Sequence, residues 1–198
     1  MLRPRPCPRA RSRSHSRSRE LREPGRGGGK QLGRHRIELV VIEATREWIR
    51  QHQTVLLIGA TGTGKTYVAC ALGQSACRHG LTVRYFRLPR LLHELGLARG
   101  DGSYGKLLTT LAKAELVILD DWGLAPLADR ERRDLLEVLQ DRHGRRATLV
   151  TSQLPLEHWH NCVGDPTFAD AILDRLVHQA HRITLKHTSM RRHEAEKK

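Results

Sequence analysis

The sequence predicts an α/β fold in which a mainly parallel, five-stranded sheet is covered by helices on both faces. Two observations favour this fold. Short apolar runs alternate along the chain with segments of helical periodicity, and aromatic residues make up only 4% of the sequence. A core built from Leu, Val, Ile and Ala suits strands that are buried on both sides. At 198 residues, the chain has room for one such domain.

Each strand is predicted from a short apolar run, and each helix from apolar residues at intervals of three and four. The predicted strands are residues 55–58, 81–86, 116–119, 148–151 and 182–185. The predicted helices are residues 37–49, 65–78 and 88–97, a fourth capped by Asp129 and closed by Gly144, and a fifth that begins at Asp165 and Pro166.

Residues 1–36 differ in composition from the rest of the chain. They hold 12 of the 35 lysines and arginines but only 2 of the 21 acidic residues, in Arg-Ser and Gly-rich stretches. Because this segment has almost nothing apolar to bury, we expect it to be disordered. Its cations could bind nucleic acid, but we favour a solvated tail or a start site that does not belong to the functional protein. The remaining residues are only mildly basic, which permits contact with nucleic acid without arguing for it.

The strongest functional signal is the segment Gly-Ala-Thr-Gly-Thr-Gly-Lys-Thr, which lies between a predicted strand and a predicted helix. Glycines let the backbone curl so that its N–H groups face phosphates beside the positive end of the helix. The lysine would neutralise the β- and γ-phosphates, and the last threonine would bind Mg²⁺. A glycine-rich turn without nucleotide is the disfavoured alternative. The predicted nucleotide-binding residues are Gly59, Ala60, Thr61, Gly62, Thr63, Gly64, Lys65 and Thr66.

Two adjacent carboxylates, Asp120 and Asp121, follow the third predicted strand. The carboxyl ends of parallel strands form the ligand-binding edge of such a sheet. Asp120 is predicted to bind Mg²⁺ through water, and Asp121 to orient or activate the attacking water. A carboxylate pair alone is a weak signal, but its place about 55 residues after the glycine-rich segment 59–66, which has the pattern of a P-loop, strengthens it. Asp121 could instead cap a loop or a helix.

Two further residues have both a catalytic and a structural interpretation. Ser152, at the end of the fourth predicted strand, could hold the water near the γ-phosphate or cap the following turn. Arg175 could pair with Asp174 on the surface or reach the γ-phosphate of a neighbouring copy, and spacing alone favours the surface pair. The 12 histidines lack a cysteine or carboxylate cluster that would complete a zinc site, so Mg²⁺ is the metal that we expect.

Taken together, these residues resemble the IstB-like transposition helper ATPases, which are similar to the DnaC-type helicase loaders of the AAA+ superfamily. The resemblance extends from about residue 37 to residue 192. The P-loop is shared by many families, whereas several later segments are specific. These segments are residues 88–91, 98–102, 118–124, 151–155, 158–160, 164–167 and 169–178.

The resemblance implies a P-loop NTPase of the AAA+ type, a three-layer sandwich over residues 37–193 followed by a charged tail at 194–198. It also implies ATP and Mg²⁺ as cofactors, ATP hydrolysis, assembly into homo-oligomers on duplex DNA without sequence specificity, and work with a cognate transposase. Thr151 or Ser152 would be a sensor, with Ser152 predicted as the catalytic residue. Arg175 would be an arginine finger that acts in trans, and Arg191 a second nucleotide sensor. The strand that ends in Asp120 and Asp121, the Walker B strand, would lie between the neighbours of the P-loop strand rather than in sequence order.

Several alternatives stay open at this point. A DnaC-like helicase loader would share the fold. A truncated copy that binds nucleotide without activity is a second alternative, because family members carry a folded helical region where residues 1–36 are Arg/Ser/Gly-rich. A small-molecule kinase is disfavoured because no arginine-rich lid is evident. No apolar run approaches the ~18 residues of a membrane span, and no signal-peptide core is present, so we expect a cytoplasmic protein with no membrane partner.

Overall fold

A computed structural model describes residues 47–185 of the chain. Several predictions lie outside these residues: the basic segment 1–36, the first part of the predicted helix 37–49, Arg191, the tail 194–198 and both boundaries of the predicted domain. The described residues form one five-stranded sheet with helices packed on its two faces. The predicted α/β fold is therefore confirmed.

Every pair of neighbouring strands in the sheet is parallel. The strands are β1 (Thr54–Ile58), β2 (Val83–Arg87), β3 (Leu116–Trp122), β4 (Ala147–Ser152) and β5 (His181–Thr184). Their order across the sheet is β2-β3-β4-β1-β5. The expectation that the strand with the two carboxylates lies between the neighbours of the P-loop strand is wrong. That strand, β3, lies between β2 and β4, whereas β1 has β4 and β5 as neighbours.

Seven α-helices and one short 3₁₀ turn connect the strands within residues 47–185. The helices are α1 (Glu47–Arg50), α2 (Lys65–Arg78), α3 (Leu88–Gly100), α4 (Tyr104–Lys113), α5 (Asp129–Arg142), α6 (Trp159–Val163) and α7 (Pro166–Val177), with the 3₁₀ turn at Leu156–His158. The sequence analysis did not predict α4 or α6. In α4, Tyr104, Leu107, Leu108 and Leu111 have the spacing of an amphipathic helix and pack in or against the core, so the periodicity was present in the sequence and was overlooked.

The sheet separates two apolar clusters, which gives the molecule three layers. One cluster joins alternate strand residues to α3, α4, α5, α6 and α7, and the other joins the intervening strand residues to α1 and α2. Adjacent residues of β1 illustrate the alternation, because Leu56 belongs to the first cluster while Val55 and Leu57 belong to the second. Within residues 47–185, no helix combines the length and the apolar character that crossing a membrane requires.

The two predicted helix caps have different outcomes. Asp165 accepts a hydrogen bond from the backbone N–H of Phe168 (3.0 Å) and caps α7 as predicted. The prediction for Asp129 is wrong, because Asp129 is the first residue of α5 and Ala128 occupies the cap position. The N–H of Ala128 instead donates to a Glu131 carboxylate oxygen at 2.8 Å.

A buried arginine at the end of α5 holds α4 against the sheet. The Arg142 guanidinium donates to the carbonyl oxygens of Leu111, Ala114 and Ala147 and to the hydroxyl of Thr148. Burial, with a smaller contribution from the charge of Arg146, lowers the pKa of Arg142 to about 10. These contacts add polar attachment to the apolar packing of Leu107, Leu108 and Leu111 against the core.

Candidate nucleotide site

The P-loop connects the end of β1 to the start of α2. Gly62 and Gly64 have φ angles of 84° and 86°, in the left-handed region that glycine adopts without strain. Gly59 is constrained by space instead, because a Cβ atom there would lie 2.6 Å from the carbonyl oxygen of Leu185. The backbone can therefore turn sharply in the P-loop because glycine occupies the position without space for a side chain, Gly59, and the two positions with positive φ, Gly62 and Gly64.

The start of α2 faces the loop with its backbone donors uncapped by a side chain. Gly64 occupies the cap position, and no acidic residue lies in the first turn. The N–H groups at such a helix end carry partial positive charge and bind anions. Lys65, the first residue of α2, adds a full positive charge at the same place.

The Lys65 ammonium group is folded over the loop. It donates to the carbonyl oxygens of Gly59 (2.7 Å) and Ala60 (2.9 Å). Partial burial lowers the pKa of Lys65, and the negative charges of Asp120 and Asp121 oppose that shift. The two carboxylates that were predicted to bind Mg²⁺ and to activate the attacking water thus act electrostatically on this lysine.

Asp120 lies at the carboxyl end of β3 and is 2% exposed. Three hydroxyl groups donate to its carboxylate. Thr66 contacts both oxygens, at 3.2 Å to Oδ1 and 3.0 Å to Oδ2, while Tyr85 contacts Oδ2 at 2.6 Å and Thr151 contacts Oδ1. The structure therefore brings together Thr66 and Asp120, the two predicted Mg²⁺ ligands.

The neighbouring carboxylate, Asp121, has a different environment. Its φ angle is 66°, a conformation that costs strain for most residues and that Asp tolerates better than others. The register of β3 against β4 shifts at this point. The Asp121 side chain is 27% exposed and accepts from Arg87 Nε at 2.6 Å, while its backbone N–H donates to the Thr151 hydroxyl at 3.2 Å.

At the end of β4, Thr151 and Ser152 point to different partners. The Thr151 hydroxyl contacts Asp120, whereas the Ser152 hydroxyl accepts from the N–H of Leu154 (3.0 Å) and lies 3.0 Å from the carbonyl oxygen of Trp122. The structure thus does not bring the Ser152 hydroxyl to the carboxylates. The next residue, Gln153, accepts a hydrogen bond from the P-loop hydroxyl of Thr61 at 2.7 Å.

Arg175 lies in the last turn of α7, away from the P-loop of its own chain. The Arg175 guanidinium donates to the carbonyl oxygen of Ala171 (2.6 Å). The backbone carbonyl oxygen of Arg175 lies 3.2 Å from Nδ1 of His143. His143 precedes β4, so Arg175 sits at the amino edge of the sheet, while the P-loop follows β1 at the carboxyl edge. The predicted pairing of Arg175 with Asp174 is not among the contacts of the described residues.

Sequence reasoning missed Tyr85 and Arg87, which contact Asp120 and Asp121 from β2. Nothing in the local sequence around these residues marks them. Their relevance follows from the pairing of β2 with β3, in which Arg87 lies opposite Asp120.

The arrangement can bind a polyphosphate together with a hard divalent cation. The helix end and Lys65 supply positive charge for phosphate oxygens. Thr66 and Asp120 supply clustered oxygen ligands, the kind that Mg²⁺ prefers, and among residues 47–185 no lysine or arginine forms a salt bridge with Asp120. The residues present therefore fit a magnesium–nucleotide complex.

Known proteins are similar to this chain in sequence and in fold. A "Putative insertion sequence ATP-binding protein" of Sinorhizobium fredii is 55% identical over 151 residues, which are 76% of this chain and 62% of the relative. A second from the same organism is 53% identical over 74% of this chain and 59% of the relative. The chain thus spans about three-fifths of the length of these relatives. The fold is similar to that of the DnaC helicase loader, with a TM-score of 0.67 and 18% identity over 80% of this chain and 92% of that one.

The family model "IstB-like ATP binding protein" matches residues 36–198, which include every element described above. This match covers the P-loop, both carboxylates and Arg175 together. The chain belongs to the IstB-like ATP-binding proteins of insertion sequences, with an AAA+ type P-loop fold.

Proposed function

We propose that the chain binds ATP with Mg²⁺ and hydrolyses it to ADP and phosphate. The observation that carries this proposal is the contact between Thr66 Oγ1 and both carboxylate oxygens of Asp120, at 3.2 and 3.0 Å. That contact joins a P-loop hydroxyl to a carboxylate from a different strand, which a glycine-rich turn without nucleotide would not need. Bound Mg²⁺ would neutralise charge on the phosphates.

Each residue of the site has a separate role in the proposal. Lys65 and the N–H groups of the P-loop bind the β- and γ-phosphates. Thr66 and Asp120 would hold the metal ion. Asp121 accepts a proton from the water that attacks the γ-phosphorus, while the bond to the leaving oxygen of ADP breaks. Thr151 supports Asp120, and Ser152 supports the turn after β4.

Arg175 would act on the nucleotide of a neighbouring copy. It lies at the amino edge of the sheet, and the five residues of β1 separate that edge from the P-loop. At about 3.3 Å per residue, the separation along the strand is roughly 13 Å, beyond the reach of an arginine side chain. We therefore propose a head-to-tail homo-oligomer, in which Arg175 contributes about 10³-fold or more to turnover. The role of Arg191 as a second nucleotide sensor stays a prediction.

The nucleotide cycle would serve transposition in the cytoplasm. The names of the relatives refer to insertion sequences, and we infer that this chain assembles on duplex DNA and assists a transposase. A helicase loader is the second candidate, supported by the fold of DnaC. A nucleotide-binding copy without activity is a third outcome that the experiments must distinguish.

The first experiment measures ATP hydrolysis by the purified chain across protein concentration, with and without duplex DNA. Turnover per chain that rises with concentration and with DNA is expected, because each site needs a neighbour. Tight ATP binding without turnover under all conditions would instead identify an inactive nucleotide-binding copy. Stimulation by a replicative helicase rather than by a transposase would favour the loader.

A mixing experiment tests the finger. Arg175→Ala and Asp121→Asn should each be inactive alone, for different reasons. In an equimolar mixture, an intact site of the first variant can meet an intact arginine of the second, so turnover should recover to about one quarter of that of the unmodified chain by random pairing. A mixture that stays inactive, while both variants still bind ATP and assemble, would contradict action in trans.

A further inference from the structure

Tyr85 places a hydroxyl group on a buried carboxylate from an exposed edge strand. It lies on β2, which pairs with β3 alone among the strands of residues 47–185. The residue is 42% exposed, so its ring is not a core side chain. Its hydroxyl nevertheless reaches Oδ2 of Asp120 at 2.6 Å, and Asp120 is 2% exposed. The hydroxyl, rather than the ring, is the part of Tyr85 that has a specific partner.

The three hydroxyl donors are distributed evenly over the two oxygens of Asp120. Tyr85 contacts Oδ2, Thr151 contacts Oδ1, and Thr66 contacts both. The carboxylate is therefore held at each end by one supporting hydroxyl and faces Thr66 with both oxygens. Rotation of the carboxylate about its terminal bond would break the hydrogen bond of Tyr85 or that of Thr151.

From this geometry we propose that Tyr85 is a positioning residue that fixes the metal-binding face of Asp120 and thereby sets the Mg²⁺ dependence of nucleotide binding. The inference rests on the proposed function, since it assigns Asp120 to the metal. Groups that orient a ligand in this way commonly change metal affinity by 10–100-fold when removed. Thr151 remains in place when Tyr85 is altered, so we expect an effect at the lower end, about tenfold.

The test uses Tyr85→Phe, which removes the hydroxyl and keeps the ring. Binding of a fluorescent ATP analogue is titrated with MgCl₂, and ATP hydrolysis is titrated in parallel. We expect the Mg²⁺ concentration for half-maximal binding and half-maximal turnover to rise about tenfold. Affinity for the nucleotide in EDTA and kcat at saturating Mg²⁺ should both stay within about twofold, because Tyr85 does not contact the phosphates or the water in this proposal.

The matched control is Tyr67→Phe. Tyr67 is 78% exposed in the first turn of α2, so the same hydroxyl loss beside the P-loop should leave the Mg²⁺ titration unchanged. An unchanged titration for Tyr85→Phe would overturn the proposal, as would a loss of nucleotide affinity in EDTA. If the unmodified chain binds ATP but does not hydrolyse it, the proposed hydrolysis fails, and the binding titration still decides the role of Tyr85.

Discussion

The two halves of the nucleotide site are built in different ways. The P-loop half is continuous in sequence, since β1, residues 59–66 and the start of α2 follow one another. The carboxylate half is assembled from three strands: Tyr85 and Arg87 come from β2, Asp120 and Asp121 from β3, and Thr151 from β4. The first half depends on backbone conformation at glycines, and the second on strand order.

This difference separates two tasks that the site must perform. The P-loop presents donors whose positions are fixed by the backbone, so it can bind phosphate whatever the neighbouring strands do. The carboxylates depend on side chains from adjacent strands for their orientation. We therefore expect changes in the P-loop to abolish binding, and changes in the carboxylate half to separate binding from turnover.

The largest expected effect is that of Lys65→Ala on nucleotide binding. The ammonium group would make contacts to two phosphates, and charge-assisted hydrogen bonds contribute about 1.5–3 kcal/mol each. Affinity for ATP should therefore fall by at least about 100-fold. The measurement is a titration with a fluorescent ATP analogue, with Lys113→Ala as the control because Lys113 is exposed at the end of α4. Equal ATP affinities of Lys65→Ala and the unmodified chain would show that Lys65 does not bind the phosphates and would contradict the assignment of the P-loop to the nucleotide site.

Asp121→Asn should affect turnover and leave binding intact. A positioned general base contributes about 10²–10⁴-fold, so we expect kcat to fall by at least about 100-fold while ATP affinity stays within about twofold. Asn tolerates a positive φ as Asp does, so the backbone at this residue, with its φ of 66°, is preserved. The exposed Asp141 provides the control Asp141→Asn. Normal hydrolysis by Asp121→Asn would show that another group activates the water.

The sequence was sufficient to predict what local pattern encodes. The P-loop, the bounds of α2 and the meeting of Thr66 with Asp120 follow from motifs and from the rule that parallel strands present their carboxyl ends at one edge. Tyr85 and Arg87 could not be predicted, because their partners depend on β2 lying next to β3. The same limit explains Ser152, since the choice between Thr151 and Ser152 depends on the alternation of side chains along β4.

The smallest expected effect belongs to Arg87→Ala, and it concerns how firmly Asp121 is held. Arg87 pairs with Asp121 at 2.6 Å, but 62% of the arginine side chain is exposed. Solvent-exposed ion pairs contribute little, so releasing Asp121 should raise turnover less than about fivefold and leave ATP affinity unchanged.

Steady-state hydrolysis at saturating ATP measures this effect, with Arg90→Ala as the control because Arg90 is an exposed arginine whose carboxylate partner is Glu94, on its own helix. A loss of turnover as large as that of Asp121→Asn would contradict a weak pair and would mean that Arg87 itself contacts the reacting groups. A small gain would show that the carboxylate half tolerates the loss of the Arg87 charge. The P-loop half, by contrast, is expected not to tolerate the loss of the Lys65 charge.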